Sequence, residues 1–215
     1  MDGRRPPLQV PRFHVVTDDA ILADADFCEA AREVLEAGGS ALALHVRGPR
    51  TTGRAVHGIV EELAPVAVDA GALLVVNDRV DIALAVGGVG AHLGARSLET
   101  SRVRRLVGQD VPLGRSVHSV DEAAAEADAG ADYLLFGNVW STPSHPDREG
   151  VGVQTLLRAV EAAGRVPVLA IGGVTPDRAA EVRQRAAAGV AVMRGVWGRA
   201  APGNAVTEYI SALGG

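Results

Sequence analysis

The chain has 215 residues, of which 47% are hydrophobic and 22% charged, and its formal net charge at pH 7 is −5. This composition is typical of a globular protein and excludes a disordered or collagen-like chain. The only cysteine, Cys28, excludes a disulfide framework within the chain. The acidic balance argues against a nucleic-acid partner, and no apolar run has the length of a membrane span. No signal-peptide pattern is visible, so a cytoplasmic location is expected.

The basic residues are unusual because all 21 of them are arginines. Without lysine, Schiff-base catalysis and lysine-bound pyridoxal phosphate are excluded. Any phosphate group has to be bound by arginine, hydroxyl groups, histidine or backbone N–H groups.

The chain begins with a Pro/Arg-rich segment, residues 1–12, which we predict to be a flexible extension. Short apolar runs then alternate with alanine-rich helical patterns. The apolar runs are typical of strands that helices cover on both faces. Eight strands are predicted, over residues 13–17, 41–46, 73–76, 89–93, 111–115, 133–136, 166–171 and 190–193.

Strict alternation of strands and helices predicts a parallel sheet. Eight units in a chain of this length fit an α/β fold, a compact single-domain (β/α)8 TIM barrel over residues 13–215. An open doubly wound sheet is the alternative, but no GxGxxG follows the first strand. Helix ends are readable at the capping box Ser119–Glu122, at Thr175 before Pro176, and at Gly38 and Gly39.

Reacting groups of a barrel lie at the carboxyl ends of its strands. Glycine-rich turns follow the last two strands, at Gly172 and Gly173 and at Met193, Arg194 and Gly195. Their backbone N–H groups, at helix starts, favour a phosphate site. The alternative is that these glycines only make tight turns.

Two further clusters of polar residues fall in loops. Thr142 and Ser144 are two residues apart, so both hydroxyls can reach one oxyanion, although a loop without chemistry remains the alternative. Asn77 and Asp78 could coordinate Mg²⁺ through oxygen, but one carboxylate makes a poor site. Alternatively, Asp78 caps the next helix. The six histidines lack metal-ligand spacing.

Five motifs together resemble the thiamine phosphate synthase / TenI family, and they occur in the expected order over most of the chain. They are Asn77 to Ala83, Gly90 to Gly94, Ser116 to Ser119, Gly130 to Tyr133 and Ala170 to Val174. The resemblance implies a small (β/α)8 barrel with one of two activities. The synthase joins a pyrimidine methyl diphosphate to a thiazole phosphate with magnesium, whereas TenI-type members move a proton to aromatise a carboxythiazole phosphate.

Compared with the synthase, several positions depart from the pattern that the resemblance implies. The strand-two Gln-x-Arg-x-Lys becomes Ala43, His45 and Arg47, the second magnesium aspartate becomes Ser97, and the lysine of the phosphate loop becomes His145. Three residues match: Asn77, Asp78 and Ser116. Mg²⁺ at Asp78 is therefore expected only for a synthase, and otherwise no cofactor is certain. The resemblance makes Arg47, Asn77, Ser116 and His145 substrate-binding residues.

The segments Gly94 to Leu98 and Thr142 to Pro146 are closer to the TenI branch, so tautomerisation is the first hypothesis. The acid/base histidine of that branch is replaced here by Asn138, whose amide cannot shuttle protons. His118 or His45 would have to titrate instead, and Ser116 makes His118 the better candidate.

We therefore predict a thiamine-biosynthesis enzyme that binds a thiazole phosphate. A synthase is the first alternative and a catalytically silent binding or regulatory protein the second. Another phosphate-binding barrel is a wider alternative. The oligomeric state is left open.

Overall fold

The structure is a computed structural model that describes residues 9–142, 149–185 and 187–214. Every strand pairs in parallel with the next one along the chain, and the first pairs with the last, so the sheet closes into a barrel. The predicted (β/α)8 architecture is thereby confirmed. Its strands are β1 (Phe13–Val16), β2 (Leu42–Val46), β3 (Leu73–Asn77), β4 (Gly90–Leu93), β5 (Leu113–Val117), β6 (Tyr133–Gly137), β7 (Val168–Ile171) and β8 (Gly189–Val192).

Helices connect the strands and cover the outside of the barrel. They are α1 (Asp19–Leu22), α2 (Phe27–Gly38), α3 (Gly53–Ala70), α4 (Val80–Val86), α5 (Thr100–Val107), α6 (Val120–Asp128), α7 (Val153–Ala163), α8 (Pro176–Gln184), α9 (Arg194–Trp197) and α10 (Pro202–Ala212). Within the described ranges, no helix combines the length and apolarity needed to cross a membrane. Of the predicted extension, residues 1–8 lie outside the described part of the chain.

Four strands begin later than their apolar runs predict, including β4, which starts at Gly90 instead of Val89. β5 starts after Pro112 and β7 after Pro167, because proline has no N–H to donate to the ladder. β2 starts after a 3₁₀ turn, Gly39–Ala41. β5 in turn extends beyond its predicted end, to Val117. The apolar runs thus located the strands, whereas proline and turn geometry set the ends.

The predicted helix starts are present, with one difference. The Ser119 hydroxyl accepts from the Glu122 N–H at 3.1 Å, as the capping box predicts. The Glu122 carboxylate accepts from the His118 N–H at 2.7 Å, one residue earlier than the box requires. Thr175 caps α8 with Pro176 in its first turn. The start of α6 is therefore fastened to the carboxyl end of β5.

Side chains pack in two separate layers around the strands. The larger layer lies between strands and helices, while a smaller cluster fills the barrel and contains Val16, Tyr133, Leu135, Leu169 and Ala191. The fully buried rings of His14 and His45 and the 1% exposed ring of His92 join that interior. Gly114 makes room for these rings, since a Cβ there would lie 2.1 Å from Tyr133 Cζ and 2.5 Å from His92 Nδ1.

We expect Gly114→Ala to lower the free energy of unfolding by about 1–3 kcal/mol, because overpacking a dense interior displaces rings from their preferred positions. Gly58→Ala is the matched control, since Gly58 lies in α3 with nothing within 4 Å of its Cβ position. This control should raise stability by about 0.5–1 kcal/mol. Urea unfolding of both variants checks the prediction, which would be contradicted by equal shifts of the same sign.

Candidate active site

Asp78 has an unusual backbone conformation at the carboxyl end of the barrel. Its φ is 63°, the only positive value among the non-glycine residues that the structure describes. The Asp78 N–H donates to the His92 carbonyl at 2.8 Å, and the carboxylate accepts from the Gly94 N–H at 2.9 Å and from the Ser97 hydroxyl. Strained backbone of this kind is concentrated at functional sites.

The carboxylate of Asp78 does not cap the following helix. α4 begins after Arg79 and has no side-chain cap. The helix-cap alternative for Asp78 is therefore wrong, because its side chain is turned across the barrel end toward the turn after β4. Asp78 is exposed, so its carboxylate is accessible to a ligand.

One carboxylate limits what this corner can bind. Among residues 9–142, 149–185 and 187–214, no group of three or more His, Cys, Asp or Glu side chains forms a metal cluster. Mg²⁺ is commonly held by one or two carboxylates together with the phosphates of its ligand. Asp78 therefore fits a divalent cation that arrives with a phosphate-bearing ligand, rather than one bound by the protein alone.

His45 is placed differently from the acid/base role predicted for it. Its side chain is fully buried, with Nε2 2.9 Å from His14 Nδ1 and Nδ1 3.0 Å from Asn77 Oδ1. Burial lowers the pKa of His45 to about 4, although the bond to Asn77 opposes that shift. Since both nitrogens meet protein atoms, the ring cannot exchange protons directly with a ligand. Arg47, two residues on, is half-buried at the end of the strand.

The candidates on β5 also have other partners than predicted. Ser116 is bonded through its hydroxyl to His92 Nε2 at 2.8 Å, not to His118. His118 is exposed and donates from Nδ1 to the Gly137 carbonyl. Because a carbonyl only accepts, Nε2 is the basic nitrogen of the neutral His118 ring. His118 therefore remains the one histidine of the predicted pair that a ligand could reach.

The loops after β6 and β7 are packed against one another. Gly172 and Gly173 have φ values of 95° and 67°, which other residues rarely adopt. A Cβ on Gly172 would lie 2.4 Å from Asn138 Cβ, and one on Gly173 would lie 2.6 Å from the Ser141 carbonyl oxygen. Asn138 thus supports the glycine turn, and its amide nitrogen lies 3.5 Å from the Trp140 carbonyl oxygen.

Arg178 is a site residue that the sequence analysis missed. It lies in the first turn of α8, where Nη1 donates to the Gly173 carbonyl. Its guanidinium carbon stands 5.1 Å from the centre of the Trp140 ring, a cation–π distance. Its position three residues after the Thr175 cap was a usable signal, since the first turn of a helix lies next to any anion bound at its N-terminus.

The remaining phosphate-binding candidates are divided between described and undescribed parts of the chain. Met193 and Gly195 are half-buried and Arg194 is exposed, at the start of α9. Trp197 fastens α9 to the barrel by donating to the Val16 carbonyl at 2.9 Å. Thr142 is half-buried in the loop after β6. Ser144 and His145 lie outside the described residues.

These features define a (β/α)8 barrel with an accessible carboxylate, arginines and glycine turns at one end. Residues 13–196 match the family model described as thiamine monophosphate synthase. The chain therefore belongs to that family, which confirms the predicted resemblance. The match does not separate the TenI-like branch from the rest.

Named relatives agree with this assignment. The thiamine-phosphate synthase of Methanoculleus marisnigri is 38% identical over 187 residues, covering 86% of this chain and 87% of that protein. A 143-residue segment is 49% identical to the bifunctional protein ThiM/ThiE of Symbiobacterium thermophilum, covering 66% of this chain and only 30% of that protein. The structure of thiamine phosphate pyrophosphorylase from Pyrococcus furiosus superposes with a TM-score of 0.81 at 31% identity, covering 94% of this chain and 96% of that one.

We expect stability to fall as the pH is lowered, because the interior histidines resist protonation. Burial, followed by the neighbouring rings, lowers the pKa of His14 and His92 well below 6.5. The folded pKa values lie below the unfolded ones, so stability present above pH 6.5 is lost as the pH falls toward about 4. Each excluded proton contributes a slope of about 1.4 kcal/mol per pH unit.

Urea unfolding at several pH values measures this slope. His45→Gln should reduce it by the contribution of about one proton. His57→Gln is the control, because the His57 side chain on α3 is 41% exposed and lies outside the barrel interior. Equal slopes in the parent and His45→Gln proteins would contradict the prediction.

Proposed function

We propose that this protein is a thiamine-phosphate synthase. The thiazole nitrogen of a thiazole phosphate would attack the methylene carbon of a pyrimidine methyl diphosphate, forming a C–N bond while the C–O bond breaks and pyrophosphate leaves. The proposal is supported by relatives of that name that align over most of their length. The structural observation that carries it is Asp78, an exposed carboxylate fixed at φ 63° at the barrel end.

The tautomerase hypothesis has weaker support than this alternative. Asn138 has no titratable proton and packs on Gly172, while His45 is buried with both nitrogens bonded. Of the two predicted acid/base histidines, only His118 is accessible. The Ser116 hydroxyl, which was expected to support it, is bonded to His92 instead. Two of the relatives named above are a thiamine-phosphate synthase and a thiamine phosphate pyrophosphorylase. A catalytically silent binding protein remains an outcome of the test.

In the proposed reaction, the chain supplies positioning and charge. Asp78 would hold Mg²⁺, with the Gly94 N–H and the Ser97 hydroxyl fixing the carboxylate that binds it. When bound, magnesium neutralises charge that develops on a departing diphosphate. Arg47 would add positive charge beside the diphosphate, and the Gly172–Gly173 turn with Thr142 would hold the phosphate of the thiazole. Ser144, His145, Met193, Arg194 and Gly195 are proposed to complete that phosphate site.

The test is to mix the protein with both substrates and Mg²⁺ and to follow thiamine phosphate and pyrophosphate by chromatography and phosphorus NMR. Formation of both products in equal amounts is expected. Carboxythiazole phosphate is offered in a parallel reaction, with an Asn138→His variant for comparison. Its aromatisation without synthase turnover would favour the tautomerase, and inactivity in both assays would favour the silent binding protein.

Asp78→Asn should lower kcat/KM by about a hundredfold, because the metal-binding charge is lost from the transition state. Asparagine tolerates the left-handed backbone and can still accept from the Gly94 N–H, so the fold should be retained. Asp81→Asn is the control, since Asp81 is exposed and paired with Arg79 at 2.6 Å. Ser97→Asp should lower the Mg²⁺ concentration at half-maximal rate. Steady-state kinetics against Mg²⁺ measures all three variants, and comparable losses from Asp78→Asn and Asp81→Asn would argue against a metal site at Asp78.

Arg178→Met should raise KM for the thiazole phosphate about five- to tenfold, because the loops lose a charge-assisted contact and the anion loses a nearby cation. Arg185→Met is the control on the same segment, since Arg185 pairs with Glu181 at 3.4 Å just beyond α8. KM is measured at saturating diphosphate substrate. Equal KM values for the two variants would show that Arg178 does not contribute to the phosphate site.

A further inference from the structure

A line of hydrogen bonds crosses the barrel interior and ends at the candidate site. It begins at the Pro11 carbonyl, which lies 3.0 Å from His14 Nε2. His14 Nδ1 lies 2.9 Å from His45 Nε2, and His45 Nδ1 lies 3.0 Å from the side-chain oxygen of Asn77. Both imidazoles are fully buried, whereas Asn77 is half-buried at the carboxyl end of β3.

The Pro11 carbonyl sets the direction of every bond in this line. A carbonyl only accepts, so His14 carries its proton on Nε2, and a neutral imidazole has no second N–H. His14 Nδ1 must then accept, which requires the proton of His45 to be on Nε2. His45 Nδ1 is consequently a bare acceptor that faces Asn77.

The line carries no charge at neutral pH. Burial lowers the pKa of His45 to about 4 and that of His14 well below its ordinary value. The groups packed around the two rings are His92 and Tyr133, with ring centres 5.0 to 6.3 Å away. Among the described residues, no carboxylate is hydrogen-bonded to either ring. After burial and the neighbouring rings, Arg115 and Arg47 also lower the pKa of His92.

Proton counting therefore decides which end of the Asn77 amide faces the barrel. If the Asn77 oxygen faced His45 Nδ1, two hydrogen-bond acceptors would lie 3.0 Å apart in a buried place. Neither would receive a hydrogen bond there, which is energetically unfavourable. A half-turn of the amide leaves its shape unchanged and replaces the oxygen by Nδ2, which donates. The line is then continuous from Asn77 Nδ2 to the Pro11 carbonyl, with one proton in each bond.

We propose that His14 and His45 are positioning residues that hold the Asn77 amide with its nitrogen toward the barrel and its carbonyl oxygen toward the site. Asn77 then recognises a ligand group that donates a hydrogen bond, such as an amino group on a heteroaromatic ring. It does not face diphosphate oxygens, which only accept and are left to Arg47 and the loops. The choice of ligand group rests on the proposed function, whereas the amide orientation rests on the hydrogen-bond geometry and on two neutral, buried rings.

The competing arrangement has the opposite polarity. A doubly protonated His45 would donate to both neighbours, so the Asn77 oxygen would face the barrel and its NH₂ group would face the site. Asn77 would then favour phosphate oxygens. The protonation state of His45 therefore determines whether Asn77 favours ligand groups that donate a hydrogen bond or groups that accept one.

Nitrogen NMR on the full chain labelled with ¹⁵N-histidine tests the orientation without any substrate. At neutral pH, His45 should show a protonated Nε2 and an unprotonated Nδ1, and His14 should show the same tautomer. Spectra of the His14→Gln and His45→Gln proteins assign the signals. A protonated Nδ1 on His45, in either the other tautomer or the imidazolium, would overturn the proposal. Because no turnover is involved, a failed synthase assay leaves this result intact.

A pair of variants tests the consequence for the ligand. In His45→Gln, the amide NH₂ can donate to His14 and the amide oxygen can accept from Asn77, so the polarity is kept. In His45→Leu it is lost, and Asn77 is free to turn. We expect KM for the pyrimidine substrate to rise about fivefold or more in His45→Leu, the effect of about one hydrogen bond, and less than about twofold in His45→Gln.

Thermal unfolding establishes that both variants are folded before their kinetics are compared. Equal KM values for the two would overturn the positioning role, because a purely structural ring would not distinguish the polarity of its replacement. If His45→Leu does not fold, His45→Met takes its place as an apolar and more adaptable side chain. The NMR result on the parent protein decides the amide orientation in either case.

Discussion

A closed eight-stranded barrel must fill its own interior with side chains, and the rest of this structure depends on how that is done here. The interior combines aliphatic residues with four rings in stacked, tilted and edge-to-face contact, whose adjacent centres lie 5.0 to 5.6 Å apart. Imidazoles bring polar atoms into a dry core, so each needs a partner of the right sign. His14 and His45 obtain theirs in a line that leads to Asn77. The same side chains therefore fill the barrel interior and position Asn77 at the candidate site.

Side chains of the barrel interior also hold the residues at the carboxyl ends of the strands in place. Asn77 completes the hydrogen bonds of a core ring, and Asp78 follows it in a left-handed conformation that the His92 carbonyl and the Gly94 N–H maintain. His92 in turn bonds Ser116 on the adjacent strand, β5. The phosphate side of the barrel end is fixed differently, because its glycine turns pack directly on Asn138 and Ser141. One half of the barrel end is thus held by buried polar side chains and the other half by close backbone contact.

The sequence predicted the barrel because its two periodic signals, apolar strands and capped helices, are local. It also predicted Asp78 and the glycine turns, since residues after a strand have to lie at the carboxyl end. The Thr175 cap placed Arg178 in the first turn of α8, but its contacts with Trp140 and Gly173 depend on how two loops fold together. The hydrogen-bond partners of His45 and Ser116 were not predictable for a related reason. The alternation of residues along a strand shows on which face a side chain lies, but not how deeply it is buried. The His45 and Ser116 side chains are both turned toward partners on neighbouring strands.

Because the chain has no lysine, arginine side chains have to supply the positive charge in the proposed chemistry. Compared with the resembled synthase pattern, the barrel end loses a carboxylate at Ser97 and has arginine at position 47. Arg178 adds a cation whose plane is set by the Trp140 ring and the Gly173 carbonyl. Compared with the same pattern, the barrel end also loses two cations, at His45 and His145, so Arg47, Arg178 and a metal ion together have to supply the positive charge that binds a phosphate-bearing ligand. A single carboxylate then suffices when the cation enters with its ligand, because the phosphates themselves complete the coordination.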